Sequence, residues 1–185
     1  MQAVKPSQEV LAQYAEACER YPQHADHPGA LVKVDEQRLY VLEEGACQVS
    51  YPVSTSRYGT GEEQDSCKTP RGVHCVAEKI GGDAGVAEIF RSRKRTHQIA
   101  EIESGETRTD QEHITTRILW LAGLEEGVNQ GGGVDSHGRY IYIHGTHEEG
   151  LIGQPASIGC VRMKNLDVMD LYDRLEVSSL VIISE

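Results

Sequence analysis

The sequence predicts a mainly β fold: a β-sandwich with one helix flanking it at the N-terminus and a second helix following Cys160. Three observations predict it. Short β-prone runs crowd the chain from Ala30 onward (Leu31–Val34, Arg38–Leu42, Ala46–Val53), parted by polar turns at Asp35-Glu36-Gln37 and Glu43-Glu44-Gly45. Strands that short, at that spacing, build sandwiches or barrels. Ile114–Leu121 is a strong apolar strand, and Tyr140–His144 sets Ile141 and Ile143 against Tyr140, Tyr142 and His144, the alternation of a strand with one buried face.

The chain of 185 residues is long enough for one domain with a real core. We divide it into residues 1–29, a helix and linker, and residues 30–185, the domain proper. Pro6-Ser7 starts the helix, Val10, Leu11, Tyr14, Ala15 and Cys18 give it an apolar face, and Pro22 ends it. Ser54–Pro70 reads as a polar surface loop that holds Cys67, and Gly72–Ala77 as a strand. Ile80–His113 reads mostly as loop, with a short strand near Val86–Phe90 and a solvated basic run from Arg91 to Arg95. Gly123–Ser136, with three consecutive glycines, reads as a flexible loop. Asn165 is placed to cap the second helix, whose buried face is Val168, Leu171, Tyr172 and Leu175, and Leu180–Ile183 reads as a last strand closing the sheet.

The net charge of −11 repels nucleic acid and anionic lipid, so neither is expected as a partner. No apolar stretch is long enough to span a membrane, and Met1–Tyr21 lacks the apolar segment of a secretory signal. The five cysteines, an odd number, follow no disulfide framework. These features lead us to expect free thiols and a cytoplasmic protein.

His144 and Cys160 carry the chemistry. A thiol of ordinary pKa, about 8.5, is only a small fraction thiolate at neutral pH. An adjacent imidazole that takes its proton makes it a strong nucleophile for acyl transfer. Gly159 lets the backbone approach a ligand, and the Gly159 and Cys160 N–H groups are candidate oxyanion donors. The bland alternative is a buried cysteine and a core histidine.

The wider pattern favours chemistry. His144-Gly145-Thr146 followed by Ser157-Ile158-Gly159-Cys160-Val161-Arg162 resembles the catalytic motif of the L,D-transpeptidase (YkuD) family. Ile158 stands where that motif usually carries a second His, one that is not the usual general base. Tyr51–Thr55, Thr69-Pro70-Arg71-Gly72 and Thr115–Leu121 also look like family segments, so the resemblance runs from about Leu31 to the C-terminus.

The resemblance implies a YkuD-like sandwich and two-step acyl transfer on peptidoglycan stem peptides or muropeptides. Cys160 would be the nucleophile, His144 the base, and the Gly145 carbonyl the group that orients the imidazole. Arg162, Ser157, Tyr142, Arg117 and His74 are the candidate substrate-binding residues. Arg162 would bind a substrate carboxylate or, alternatively, pair with Asp167 or Asp170. Arg117 would meet a structural or a substrate carboxylate. The resemblance implies no cofactor and no metal, and it implies carbapenem-type β-lactams as inhibitors. We expect an L,D-carboxypeptidase that cleaves the diaminopimelate–D-Ala bond during wall recycling. The alternatives are an L,D-transpeptidase forming 3-3 cross-links and an inactive muropeptide sensor. The acidic pair Glu148-Glu149 would favour an amine acceptor, and so the transpeptidase.

Overall fold

A computed structural model describes residues 5–185. Helix α1 (Gln8–Arg20) starts at Ser7, whose Oγ accepts the Val10 N–H at 3.3 Å. Its buried residues Val10, Tyr14 and Ala17 fall at helical spacing. They pack on Leu31, Tyr40, Leu42, Leu180 and Ile182, so the helix covers the outer face of the sheet.

Strands β1 (Gly29–Lys33), β2 (Arg38–Glu43) and β3 (Ala46–Pro52) form an antiparallel meander. The turns between them place Gln37, Glu44 and Gly45 at positive φ. Strand β1 then pairs in parallel with β10 (Leu180–Ser184). The ladder continues through β4 (Gly72–Ile80) and β7 (Ile114–Gly123) to β8 (Tyr142–Thr146), each antiparallel to the last, and ends in β9 (Val161–Met163), parallel to β8. Strand β10 therefore does not close the sheet at an edge but lies inside it. Both of its faces are apolar, Val181 and Ile183 toward the core and Leu180 and Ile182 toward α1, which suits a strand covered on two sides.

Ser54, just past β3, makes an antiparallel bridge to Arg162 in β9, with paired hydrogen bonds of 2.9 and 2.8 Å. The sheet thus curls until its two ends meet. Inside the curl, Ala30, Val32, Leu39 and Val41 face Leu119, Leu121, Ile143, Val161 and Met163. Helix α2 (Asn165–Arg174) inserts Val168 and Leu171 into the same cluster, and Leu175 follows.

Three expectations change. Ser54–Pro70 is not simply a surface loop, because its ends are interior: Ser54, Thr55, Ser56 and Thr69 are buried. The stretch read as mostly loop contains a hairpin, β5 (Glu88–Arg91) and β6 (Lys94–Ile99), attached through β5 to the start of β7. Ser92 and Arg93 of the basic run form its turn at positive φ, and Arg95 pairs with Glu88 at 2.8 Å. Asn165 does not cap α2, since Lys164 occupies that position. Its buried amide donates to the Thr146 carbonyl (2.9 Å) and to Glu149 (2.6 Å) and accepts from Thr115 (2.6 Å), tying β7, β8 and α2 together.

His74, a candidate substrate-binding residue, lies in β4. It is instead fully buried, with Nε2 2.9 Å from Ser136 Oγ and Nδ1 3.1 Å from the Gly72 carbonyl. Burial lowers its pKa to about 4. A histidine depressed in this way adds stability above its unfolded value of 6.5 and loses it as pH falls through that value toward 4, where the unfolded chain binds the extra proton. The difference is worth on the order of 3 kcal/mol. Thermal melts should therefore show a falling Tm from pH 6.5 down to 4, and His74→Gln, which does not titrate, should have a visibly shallower slope. An unchanged slope would place the acid sensitivity elsewhere.

Candidate active site

The parallel register of β8 and β9 sets the site. Ile143 lies beside Val161 and His144 beside Arg162, so Cys160 falls next to Tyr142. Ile143 and Val161 enter the core. By the pleat, Tyr142, His144, Cys160 and Arg162 turn to the opposite face. There Cys160 packs against a cluster that includes Ile118, Trp120 and Tyr142.

His144 is 2% exposed, and its Nδ1 lies 2.7 Å from the Gly145 carbonyl oxygen. A carbonyl accepts only, so Nδ1 carries the proton and Nε2 keeps its lone pair. A Cβ on residue 145 would sit 2.7 Å from the Thr115 carbonyl oxygen and 2.9 Å from Asn165 Oδ1, so this position needs glycine. Burial lowers the His144 pKa to about 4.

Cys160 is partly exposed. Its Sγ accepts the Tyr142 N–H and donates to the Tyr140 carbonyl, both at 3.4 Å. Burial pushes the thiol up to about 12, against the pull of Tyr142 N–H, Arg139 and Arg162. Thiol and imidazole are therefore both neutral at pH 7. No hydrogen bond joins them in this structure; catalytic contacts of this kind often tighten only with substrate.

The turn before Cys160 is held from within. Gly159 has φ +135°, a region that L side chains rarely adopt. Ser157 Oγ donates to the Cys160 carbonyl at 2.6 Å and accepts the Gly159 N–H at 3.2 Å. Thr69 Oγ1 donates to the Gly159 carbonyl at 2.8 Å. Two expectations are corrected here. Ser157 is fully buried and braces the turn, so it is not free for substrate. The Gly159 N–H already has an acceptor, which removes it as an oxyanion donor. The Tyr142 N–H, aimed at Sγ, is a donor at the reacting atom that sequence reasoning missed.

The remaining candidates divide. Tyr142 lines the site, but it is 4% exposed, and its hydroxyl accepts from Arg93 at 3.2 Å. It is a wall, whereas Tyr140, 53% exposed, presents the open aromatic surface. Arg117 projects away from the site toward α2, over Tyr172, and donates to the Ala84 and Thr116 carbonyls. Among the described residues it meets no carboxylate. Arg162 shares the face of Cys160 but is 1% exposed. Its two terminal nitrogens are engaged by Glu112 at 2.9 Å and Glu148 at 2.7 Å, not by Asp167 or Asp170. Glu148 is thus buried, and Glu149 binds Asn165, so the pair does not form an open acidic patch.

Ile158, 49% exposed, separates two cavities of about 220 Å³ each. Cys67, Arg139 and Tyr140 line the first. Arg57, Arg108, Asp110, Glu112 and Arg162 line the second. Sequence reasoning missed Arg139, just before the Tyr140–His144 run, and Glu112, far from it; neither belongs to a local pattern.

The buried Arg162 pair predicts that Arg162→Lys, which keeps the charge but loses the planar fork, destabilises the fold by roughly 1–3 kcal/mol. Chemical denaturation and steady-state kinetics on one preparation check this: a KM change at wild-type stability would restore Arg162 as a substrate contact.

Comparison with known proteins agrees with this fold. The chain matches no curated protein sequence. Among solved structures it resembles an L,D-transpeptidase from Mycobacterium smegmatis (19% identity, TM-score 0.50, covering 86% of this chain and 59% of that one). It also resembles L,D-transpeptidase 3 from Mycobacterium tuberculosis in complex with a faropenem-derived adduct (15%, 0.51, 85% and 60%). A third is a cysteine mutant of Enterococcus faecium L,D-transpeptidase (10%, 0.51, 86% and 50%). At these identities the likeness is one of fold, and the chain spans about three fifths or less of those chains. The family model for the L,D-transpeptidase catalytic domain (YkuD) matches residues 28–183. With that match over most of its length, the chain belongs to the L,D-transpeptidase catalytic domain (YkuD) family.

Proposed function

We propose that the protein is a cysteine acyltransferase acting on peptidoglycan stem peptides, and that its acyl-enzyme is released by water, making it an L,D-carboxypeptidase. The observation that carries the acyl-transfer reading is the pairing of a fixed base with a nucleophile on one face of adjacent parallel strands. The Gly145 carbonyl fixes the proton of His144 on Nδ1, and Cys160 sits beside Tyr142 on the same face.

In this reading Cys160 Sγ attacks the diaminopimelate carbonyl of a tetrapeptide as His144 Nε2 takes the thiol proton. The pair is neutral at rest, so proton transfer accompanies attack. The oxyanion accepts from the Cys160 N–H group, while the Tyr142 N–H, already donated to Sγ, holds the sulfur. The C–N bond to D-Ala breaks, the leaving amine takes the proton from the imidazolium, and a thioester remains. Water, deprotonated by His144, then attacks the thioester, releasing the tripeptide carboxylic acid and restoring the thiol.

Two observations support water as acceptor. Glu148, the acid most suited by sequence to attract an amine, is buried under Arg162. The cysteines Cys18, Cys47, Cys67, Cys75 and Cys160 are all free, which fits a reducing compartment where soluble wall fragments are the available substrate. The solved relatives include complexes with a faropenem-derived adduct and with imipenem, and the same β-lactams should acylate Cys160 here.

His144→Ala should lower kcat/KM by at least ~10²-fold, the ordinary cost of losing a general base. In the wild type, the acid limb of kcat/KM should fall well below pH 6.5, since His144 stays neutral down to about 4. An acid limb near 6.5 would mean that an exposed histidine is the base.

The function itself is tested by incubating the enzyme with a disaccharide tetrapeptide and separating the products by mass. We expect tripeptide and free D-Ala, with none from Cys160→Ala. A dimer bridged between two diaminopimelate centres as main product would overturn hydrolysis and leave the acyl-transfer reading standing. Absence of both products would overturn the substrate.

A further inference from the structure

Outside the active site, a cavity of about 260 Å³ is lined by Glu101, Ile102, Glu103, Thr109, His113 and His147. His147 is 5% exposed, and its Nδ1 is a buried polar atom without a partner among the described residues. Its other nitrogen, Nε2, lies 2.9 Å from Thr109 Oγ1. That hydroxyl also contacts the Gln111 carbonyl at 2.8 Å and Glu148 Oε1 at 2.9 Å, both acceptors. The threonine proton therefore goes to one of them, and Oγ1 is left to accept from His147 Nε2–H. The tautomer follows: Nδ1 carries a bare lone pair.

A buried acceptor without a partner costs stability unless something occupies it. The His113 ring stands 4.7 Å from the His147 ring, centroid to centroid, at an interplanar angle of 56°. Imidazole nitrogens bind zinc at about 2.0–2.1 Å, which puts the centroids of two rings on one ion roughly 5 Å apart at near-tetrahedral angles. A metal-bound histidine also characteristically donates its second N–H to an oxygen acceptor. His147 is already arranged that way by Thr109.

We propose that His113 and His147 bind one divalent transition-metal ion of the zinc type at this cavity. Among the described residues no third ligand side chain is gathered with them. Water completes the coordination shell, with the carboxylates of Glu101 and Glu103 lining the same cavity. The ion pins the loop of residues 101–113 to the end of β8, where the Glu103 N–H already donates to the His147 carbonyl at 2.8 Å. Glu112, next to His113, holds Arg162 and lines the cavity beside Ile158, so the site braces one wall of that cavity without entering the chemistry.

The test uses the full chain, stripped with chelator and dialysed against zinc chloride, with bound zinc measured per chain. One equivalent is expected, with a rise in Tm on zinc addition. His113→Ala and His147→Ala should each weaken binding at least tenfold and abolish the Tm shift. His113 is only partly buried, so its variant should fold even where the other does not. Cobalt(II) substitution separates donors: an imidazole site lacks the thiolate-to-metal absorption that binding at the free cysteines would give. No stoichiometric uptake would leave only ordered water at Nδ1 and overturn the proposal. Uptake undiminished in His113→Ala, or a thiolate spectrum, would overturn it as well.

Discussion

The parallel pairing of β8 with the three-residue strand β9 is the constraint on which the site depends. Parallel neighbours cannot be joined by a tight turn. The connection here is an irregular loop from His147 to Cys160, and a strand as short as β9 has few ladder bonds to hold its register. Polar groups buried beneath the loop supply the rest. Glu148 binds Arg162, Glu149 binds Asn165, and Ser54 Oγ donates to the Leu151 and Gln154 carbonyls. A slip of one residue would turn Cys160 into the core and Val161 out of it. These buried contacts make that slip costly, because each would leave a charge or an amide without its partner.

The same burial shapes the chemistry. Desolvation disfavours the charged form of either partner, so it raises the thiol and lowers the imidazole together. A resting thiolate–imidazolium pair is therefore not what the surroundings stabilise. They stabilise a neutral pair in which the base is oriented in advance by the Gly145 carbonyl. In the proposed reaction charge develops during attack, beside the Tyr142 N–H that is aimed at Sγ; Arg139 and Arg162 favour negative charge on sulfur and Glu112 opposes it. Glu112 and Glu148 hold the Arg162 guanidinium in place, which accounts for a buried charge on a strand beside Cys160.

Much of this was legible in the sequence, and what was not has a common cause. The β1–β3 meander, β7, β8 and both helices announce themselves by periodicity, since each buries one face or both. Strand β6 does not: Lys94–Ile99 is an edge strand with nearly every residue at least partly exposed, so its identity lies in pairing with β5 rather than in its own pattern. Charged edge strands are a common protection against unwanted pairing, and they are hard to read for the same reason. His144 and Cys160 were found because a motif carries them. The partners of Arg162, the interior position of His74 and the outward turn of Arg117 are long-range facts. They depend on which strands become neighbours, and a single residue in the sequence carries no mark of that. Asn165 was misread because a helix-start asparagine usually caps; here four tertiary contacts outbid the local one.

Position 158 shows how far the turn before the nucleophile is independent of the side chain it carries there. The family motif usually has a histidine at this place, and this chain has Ile158, half exposed between the two cavities. The turn is held by Ser157 Oγ, by the positive φ of Gly159 and by Thr69, none of which involves the residue 158 side chain. The exchange therefore leaves the backbone at Cys160 and the orientation of His144 intact. What it removes is an imidazole from the surface between the cavities. With no second titrating ring there, His144 alone must take the thiol proton and return it to the leaving amine. A single base serving both steps is sufficient for acyl transfer when it reaches sulfur and leaving group from one position. The buried, Gly145-anchored ring is suited to that task, since its only free nitrogen is on the site face. Ile158 leaves a half-exposed apolar surface between the two cavities, with charged residues lining each of them.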